Sequence, residues 1–440
     1  MNKLSKISIY IMVTALSLFF VCGCSCGNKN DRNESILVES EEQVTTRDIT
    51  SSSKLVQDDN DKSTEETTTK ENISDEETTK QPETNETTTE EKSETVTSTT
   101  TEKKTTAKQT TTKKKTTSSE QNKKEEPTTY YYVDETGKTP YEAHGRLQVN
   151  GTKLVDQYGT PYQLKGASTH GMAWFPQYVS YDTFKYLRDS FGVNVVRLAL
   201  YTAEYNGYCE GGDKNYLKNL TKQGVQAATD LGLYVIIDWH ILNDQDPRKY
   251  KVDAKEFFRE MSSTYKNYDN VIYEICNEPN GNTTWADIKA YANEIIPIIR
   301  ANDKDAIIIV GTPTWSQDVD IASKDKITGY NNIMYSLHFY AATHKEWLRK
   351  KAQTAINNGC ALFVSEFSIC DASGSGGIDK TEANKWMEFL NKNGISYVGW
   401  NLSNKAETSA MFQSWCGKVY GFDDSELTEW AKWLREKIKK

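Results

Sequence analysis

Eight short apolar runs rich in β-branched residues punctuate the second part of the chain, at residues 162–168, 193–200, 234–240, 271–278, 306–313, 333–340, 361–368 and 395–402. Their spacing of roughly 30 to 45 residues is what results when each strand is followed by a helix. Between them the apolar positions recur with helical period, most plainly at 217–231, 254–265, 285–300, 345–357 and 381–391, and a last helix is predicted over 425–437. Gly192, Gly232, Gly359 and Gly394 stand just ahead of strands, where a chain leaving a helix turns through the left-handed conformation. The runs lack polar alternation, so both faces of each strand are covered. Eight such strand–helix units predict an α/β fold, a closed (β/α)8 TIM barrel. Ahead of it, residues 147–156 read as a hairpin turning at Asn150-Gly151 and plugging the bottom of the barrel.

Composition divides the chain. Residues 28–129 are almost entirely Thr, Glu, Lys, Ser, Asp and Asn, too poor in apolar side chains to offset the entropy of ordering, and predict a disordered stalk. Before it, Lys3 and Lys6 precede an apolar run at 7–21 with the charge and length of a signal peptide. That run ends in Val21-Cys22-Gly23-Cys24, which resembles the lipobox of bacterial lipoproteins. By this resemblance Cys24 is lipidated, with Cys26 the other candidate, and the protein is exported and tethered to a membrane only through that anchor. Secretion after cleavage elsewhere is the alternative. The expected divisions are a signal peptide at 1–24, a linker at 25–140 and a catalytic domain at 141–440.

Charge and cysteines remove further classes. With 62 acidic against 53 basic residues and a net charge of -9, the chain is a poor partner for nucleic acid. Cys22, Cys24 and Cys26 belong to the export signal. Cys209, Cys276, Cys360, Cys370 and Cys416 are odd in number and have no CxxC spacing, so neither a disulfide framework nor a zinc site is expected, although one bridge among them fits the count.

The candidate chemistry sits where the runs end. One closes on Asn277-Glu278-Pro279 and another on Ser365-Glu366, and a carboxylate at the end of a buried strand is costly unless something there uses it. Two such glutamates are what acid/base cleavage of a glycosidic bond requires. The other runs lead to His170 and Trp174, Arg197 and Tyr201, Asp238-Trp239-His240, Trp315, His338-Phe339-Tyr340, and Trp400-Asn401. In a barrel these ends share one rim. Arg197 and the Tyr340 hydroxyl are the candidates for keeping Glu366 ionised, because a cation or a donor favours the charged form.

Asn277-Glu278-Pro279, Ser365-Glu366-Phe367, Leu337-His338-Phe339-Tyr340 and Gly399-Trp400-Asn401-Leu402-Ser403 together resemble the large cellulase family of retaining glycoside hydrolases, family 5, over residues 147–420. Thr169-His170-Gly171-Met172-Ala173-Trp174 and Lys405-Ala406-Glu407 resemble its bacterial endoglucanase branch rather than the mannanase branch. The resemblance implies an endo-acting β-1,4-glucanase, with Glu278 the general acid/base and Glu366 the nucleophile. It further implies that Asn277 binds the sugar 2-hydroxyl and that His240 and His338, with His170 nearby, line the subsite at the scissile bond. Trp174, Tyr201 and Trp400 are the implied glycone platform, assisted by Lys405, Glu407 and the loop at Ala372; Trp315 is the implied aglycone platform. Retention predicts carboxyl groups about 5 to 5.5 Å apart. No metal or cofactor is expected, since the His-x-His pair of a metal-dependent hydrolase is missing from the first strand, and the β-glucan substrate is met by a monomer. Trp285, Trp347, Trp386, Trp415, Trp430 and Trp433 are read as packing. A mannanase, mixed-linkage glucanase or xyloglucanase, or a non-catalytic carbohydrate-binding lipoprotein, are the competing readings; the last should have lost one of the two glutamates.

Overall fold

The computed structural model describes residues 137–439. The predicted signal peptide, Cys24 and nearly all of the linker lie outside the described residues. The first helix, α1 (Pro140–His144), opens one residue ahead of the expected boundary, because Thr139 and Glu142 form a reciprocal capping box. It is tied down by the Tyr141 N–H, which donates to the Gly232 carbonyl at 2.9 Å.

The expected hairpin follows as β1 (Gln148–Asn150) and β2 (Lys153–Val155), paired antiparallel, but it turns at Gly151-Thr152 rather than Asn150-Gly151, because Asn150 pairs with Lys153 and Gly151 supplies the positive φ the two-residue turn demands. Eight parallel strands then close into a barrel: β3 (Lys165–Thr169), β4 (Val195–Tyr201), β5 (Tyr234–His240), β6 (Val271–Glu274), β7 (Ile308–Val310), β8 (Ile333–Tyr340), β9 (Leu362–Ser368) and β10 (Ser396–Leu402), the last pairing with β3. The outer layer comprises α2 (Tyr181–Tyr186), α3 (Lys214–Asp230), α4 (Lys251–Thr264), α5 (Trp285–Arg300), the one-turn α7 (Val319–Ala322), α8 (Glu346–Asn357), α9 (Lys380–Asn393) and α10 (Glu429–Ile438), and α6 (Pro313–Ser316) is a single left-handed turn at the rim.

The TIM barrel expected from the sequence is therefore present, with three differences in detail. The β6 ladder ends at Glu274, short of Glu278, yet the Asn277 and Glu278 N–H groups still donate to the Trp239 and Ile241 carbonyls, so the segment stays fastened to the rim. Two single turns replace a full helix after β7. The final helix begins at Glu429 rather than 425, because Leu427 bridges to Phe412 and Thr428 serves as the N-cap.

The interior is layered by the two-residue period of the strands. At the lower end Leu164, Val195, Ile236, Ile272, Ile309, Met334, Phe363 and Val398 form one apolar cluster, and Leu147 and Leu154 from the hairpin segment close it from below. Two residues further along four of these strands, the inward positions become Arg197, Asp238, Glu274 and Ser336. Two strands break the register, β10 against β3 between Trp400 and Leu402 and, with more consequence for the interior, β9. Between Phe363 and Phe367 β9 carries one residue more than either neighbour, and this bulge lets the adjacent Ser365 and Glu366 both face the interior. The positions between pack outward against the helices in a second, larger core.

Of the six tryptophans assigned to packing, Trp285, Trp386, Trp430 and Trp433 are buried. Trp347 and Trp415 are not: they are 45% and 65% exposed, because each lies on a surface that no other element covers. Cys209, Cys276, Cys360, Cys370 and Cys416 are all unpaired, so the one bridge their number allowed does not form.

Candidate active site

Arg197 is the hub of the upper interior and is fully buried. Its Nε donates to Glu274 Oε2 at 2.7 Å, Nη2 to Asn277 Oδ1 at 2.7 Å, and Nη1 to Glu366 Oε2 at 3.3 Å, while Asp238 Oδ2 lies 3.0 Å from Nη2. A guanidinium presents donors in a fixed fork, so one residue on β4 orients groups from β5, β6, β9 and the loop after β6. The Tyr340 hydroxyl donates to the other Glu366 oxygen, Oε1, at 2.8 Å. Both groups expected to hold Glu366 do touch it.

Glu278 is fastened from the opposite side. His338 Nδ1 is 2.8 Å from Glu278 Oε1, and His338 Nε2 is 2.9 Å from Ser365 Oγ. One carboxylate oxygen from each glutamate and a ring nitrogen of His338 all lie within 4.8 Å of one another. Such a trio resembles a metal-ligand set, but both nitrogens of His338 already face protein partners and each carboxylate has its own. The arrangement sets a carboxyl group able to give a proton, Glu278, beside a carboxylate held by its own donors, Glu366.

Around them opens a cleft of about 560 Å³, lined among others by His170, Tyr201, His240, Glu278, Trp315, His338, Tyr340, Glu366, Ala372, Trp400, Lys405 and Glu407. On one side Trp400 stacks on His240 with ring centres 5.2 Å apart, and Trp174 lies parallel to Tyr201 and against His170. Lys405 hangs over the Trp174 ring and pairs with Glu407 at 2.7 Å; Glu407 accepts in turn from Asn401 Nδ2. Asn277 donates from Nδ2 toward His240 Nε2 at 3.2 Å, and His240 Nδ1 meets Asp238 at 2.6 Å. On the other side Trp315 projects 44% exposed from a turn in which Thr314, Trp315 and Ser316 all have positive φ. Left-handed backbone at three non-glycine residues costs on the order of 1–2 kcal/mol each. It persists because Trp315 N–H donates to the Pro279 carbonyl at 3.0 Å, Ser316 Oγ to the Asn277 carbonyl at 2.6 Å and Thr314 Oγ1 to Asp318 at 2.7 Å.

The sequence model described as "Cellulase (glycosyl hydrolase family 5)" matches residues 155–406. Endoglucanase A of Butyrivibrio fibrisolvens is 50% identical over 298 residues, which is 67% of this chain and 69% of that protein. An endoglucanase of Clostridium saccharobutylicum is 51% identical over 295 residues, 67% of this chain and 65% of its own length. The chain belongs to glycosyl hydrolase family 5. Among solved family structures, the catalytic domain of Thermobifida fusca endoglucanase Cel5A is 35% identical and superposes with a TM-score of 0.66, covering 69% of this chain and all (100%) of that one. This chain is thus a family-5 glycoside hydrolase, and it spans about two-thirds of the length of the curated relatives it matches.

In this family-5 barrel the two glutamates are electrostatically unequal. Burial pushes Glu278 up to about 8, with Asp238 and Glu274 adding to the shift against Arg197. Burial, then the Glu278 charge, push Glu366 up to about 7 against Arg197 and the Tyr340 hydroxyl. A pair holding one proton keeps it on Glu278. Burial lowers His338 to about 4 and His240 well below its ordinary range, so both rings are neutral in the working pH range.

Every catalytic and substrate-binding residue expected from the sequence lies at this end of the barrel, whereas Cys24 is outside the described residues. Trp174, Arg197 and Asn277 stand beside or beneath the cleft lining rather than on it. Four participants were missed: Glu274, Ser365, Ser336 and the hydrogen-bonding role of Asp238. A signal existed for Glu274, an ionisable residue inside a mostly apolar run, which burial penalises as it does Glu278. None existed for Ser365, whose inward aim depends on the bulge.

Proposed function

We infer that this chain is an endo-acting β-1,4-glucanase that hydrolyses internal bonds of cellulose or related β-glucans by double displacement with retention. The observation carrying this is the approach of a Glu278 and a Glu366 oxygen to within 4.8 Å, compatible with the 5 to 5.5 Å of the covalent route and short of the roughly 6.5 to 9.5 Å that leaves room for an attacking water. Glu366, ionised and aimed by Arg197 and Tyr340, attacks the anomeric carbon while Glu278 gives its proton to the departing oxygen. Glu278 then takes a proton from water, which releases the sugar from Glu366. Aromatic faces on both sides of the glutamates, Trp400 and Trp174 against Trp315, favour binding mid-chain and internal cutting. The curated relatives are named endoglucanases, and the Thermobifida fusca domain has been solved in complex with cellotetraose, which supports a glucan rather than a mannan. Following the anomer released from a cello-oligosaccharide by NMR tests the reading: the β-anomer first is expected, and the α-anomer first would overturn it.

The same proposal has the protein exported and working as a monomer from a lipid anchor on Cys24. Its support is the charge and length of residues 1–21 and the cysteine context. Palmitate labelling that is retained in Cys24→Ala would refute the anchor assignment.

A further inference from the structure

Beneath Glu278 runs a chain of buried polar groups that the cleavage steps do not use. Ser365 Oγ lies 2.6 Å from Glu274 Oε1, 2.7 Å from Ser336 Oγ and 2.9 Å from His338 Nε2; His338 Nδ1 continues to Glu278 Oε1 at 2.8 Å. All of these residues are less than 10% exposed. We propose that Glu274, acting through Ser365, fixes the tautomer of His338 so that its Nδ1 lone pair faces Glu278, which makes Glu274 and Ser365 positioning residues for the proton donor. The inference rests on the acid/base role of Glu278 proposed above.

The hydrogens can be counted. A serine hydroxyl has one hydrogen and two lone pairs, and Ser365 has three partners. An ionised Glu274 has nothing to donate, so it must receive the Ser365 hydrogen. Ser336 must then donate its own hydrogen to Ser365, and the remaining lone pair must accept an N–H from His338 Nε2. The contact of Nε2 with Glu274 Oε1 at 3.9 Å favours a proton on the same nitrogen. A neutral imidazole carries one N–H, so Nδ1 is left as an acceptor. The hydrogen between Nδ1 and Glu278 must therefore come from a protonated Glu278. With the opposite tautomer, Nδ1 would donate to an ionised Glu278, which is the disarmed form, and Ser365 would have one hydrogen for two acceptors.

What keeps Glu274 ionised is Arg197, whose Nε donates to its second oxygen at 2.7 Å. Burial works in the opposite sense. The other titratable groups facing this network are Asp238 and His240 from β5, Tyr340 from β8 and Glu366 from β9. Asp238 and Glu366 share the same guanidinium at the longer distances of 3.0 and 3.3 Å, so the closest salt bridge belongs to Glu274.

The test compares Ser365→Ala and Glu274→Gln with the natural chain on two substrates. Cellopentaose has a leaving group that needs a proton, and 2,4-dinitrophenyl β-cellobioside has one that does not. Each variant is expected to lose about tenfold more kcat/KM on cellopentaose than on the aryl glycoside, and its alkaline limb on cellopentaose should move down by about one pH unit. Equal losses on both substrates with an unmoved limb would overturn the proposal. Nitrogen-15 NMR of histidine-labelled natural enzyme, with His338 assigned by loss of its signal in His338→Gln, provides a readout that does not depend on how the variants fold. A proton on Nε2 at pH 6 is expected, and a proton on Nδ1 overturns the inference. Glu278→Gln separates the two levels: if it shows no leaving-group dependence, the acid/base assignment fails, whereas if it does and Ser365→Ala does not, only the relay fails.

Discussion

The two ends of the barrel carry hollows of nearly equal size, about 550 Å³ below and about 560 Å³ above. Volume does not say which one works. The lower hollow is edged by the β1–β2 hairpin and by the segments entering β8 and β9, and Arg146 there is bonded to Asp269 and to the buried Asp303. Directly above it the interior is Leu, Ile, Val, Met and Phe. The upper hollow rests on Arg197, Asp238 and Glu274, with Glu278 and Glu366 above them. One repeat of the strand separates a layer chosen for packing from a layer of charge. Burying three carboxylates against one guanidinium is poor for stability, since the desolvation cost of ion pairs commonly exceeds their attraction. The lower end, with its apolar plug, is where stability is concentrated, and the upper end is where it is given up for chemistry.

That contrast is sharpest at Glu366. Glu366→Gln is expected to lower kcat on cellopentaose by on the order of 10⁴-fold or more while leaving the melting temperature unchanged or raised; a large loss of stability with modest loss of turnover would put Glu366 in the wrong half of the comparison. Glu278→Gln should cost roughly 10² to 10⁴-fold on the same substrate and much less on an aryl cellobioside, read from steady-state kinetics. Leu154→Ala at the lower end should show the converse. A buried leucine truncation costs about 2–5 kcal/mol, or roughly 5–15 °C in melting temperature, with kcat/KM at 25 °C close to that of the natural chain.

A titration of stability with pH tests the same division. Glu278 has a folded value of about 8, above the ordinary 4.5. The folded state therefore holds a proton on Glu278 that the unfolded chain releases. The stability this contributes is complete below pH 4.5 and is lost as pH rises through about 8. Melting temperature measured from pH 5 to 9 should fall for the natural chain and fall less for Glu278→Gln. The smallest effect is expected at the aromatics. Trp315→Ala should reduce kcat/KM on a long cello-oligosaccharide by roughly three- to tenfold, the worth of one aromatic contact, and Trp347→Ala by nothing measurable.

Much of this division was legible in the chain. The apolar runs located all eight strands and both glutamates, and Leu147, Leu154 and Asn150-Gly151 announced the plug, because each of these depends on a short stretch whose period and turn chemistry are local. Glu274 was visible but went unread, one charge in a run otherwise scored as apolar. The exposure of Trp347 and Trp415 was beyond reach for a different reason: helical spacing says which residues share a face, not whether another element covers it.

What the amino-acid order determined by itself, then, is the barrel, its hairpin and the strand ends on which Glu278 and Glu366 ride, since two-residue and helical periods need no distant partner. The folded assembly alone decided that Ser365 and Glu366 both turn inward through the β9 bulge, that Arg197 gathers groups from across the barrel, and that Trp315 holds a left-handed turn against the Pro279 and Asn277 carbonyls. Those choices are made by ladder registers and hydrogen bonds between segments far apart in the chain, up to the 169 positions between Arg197 and Glu366, where no local pattern reaches.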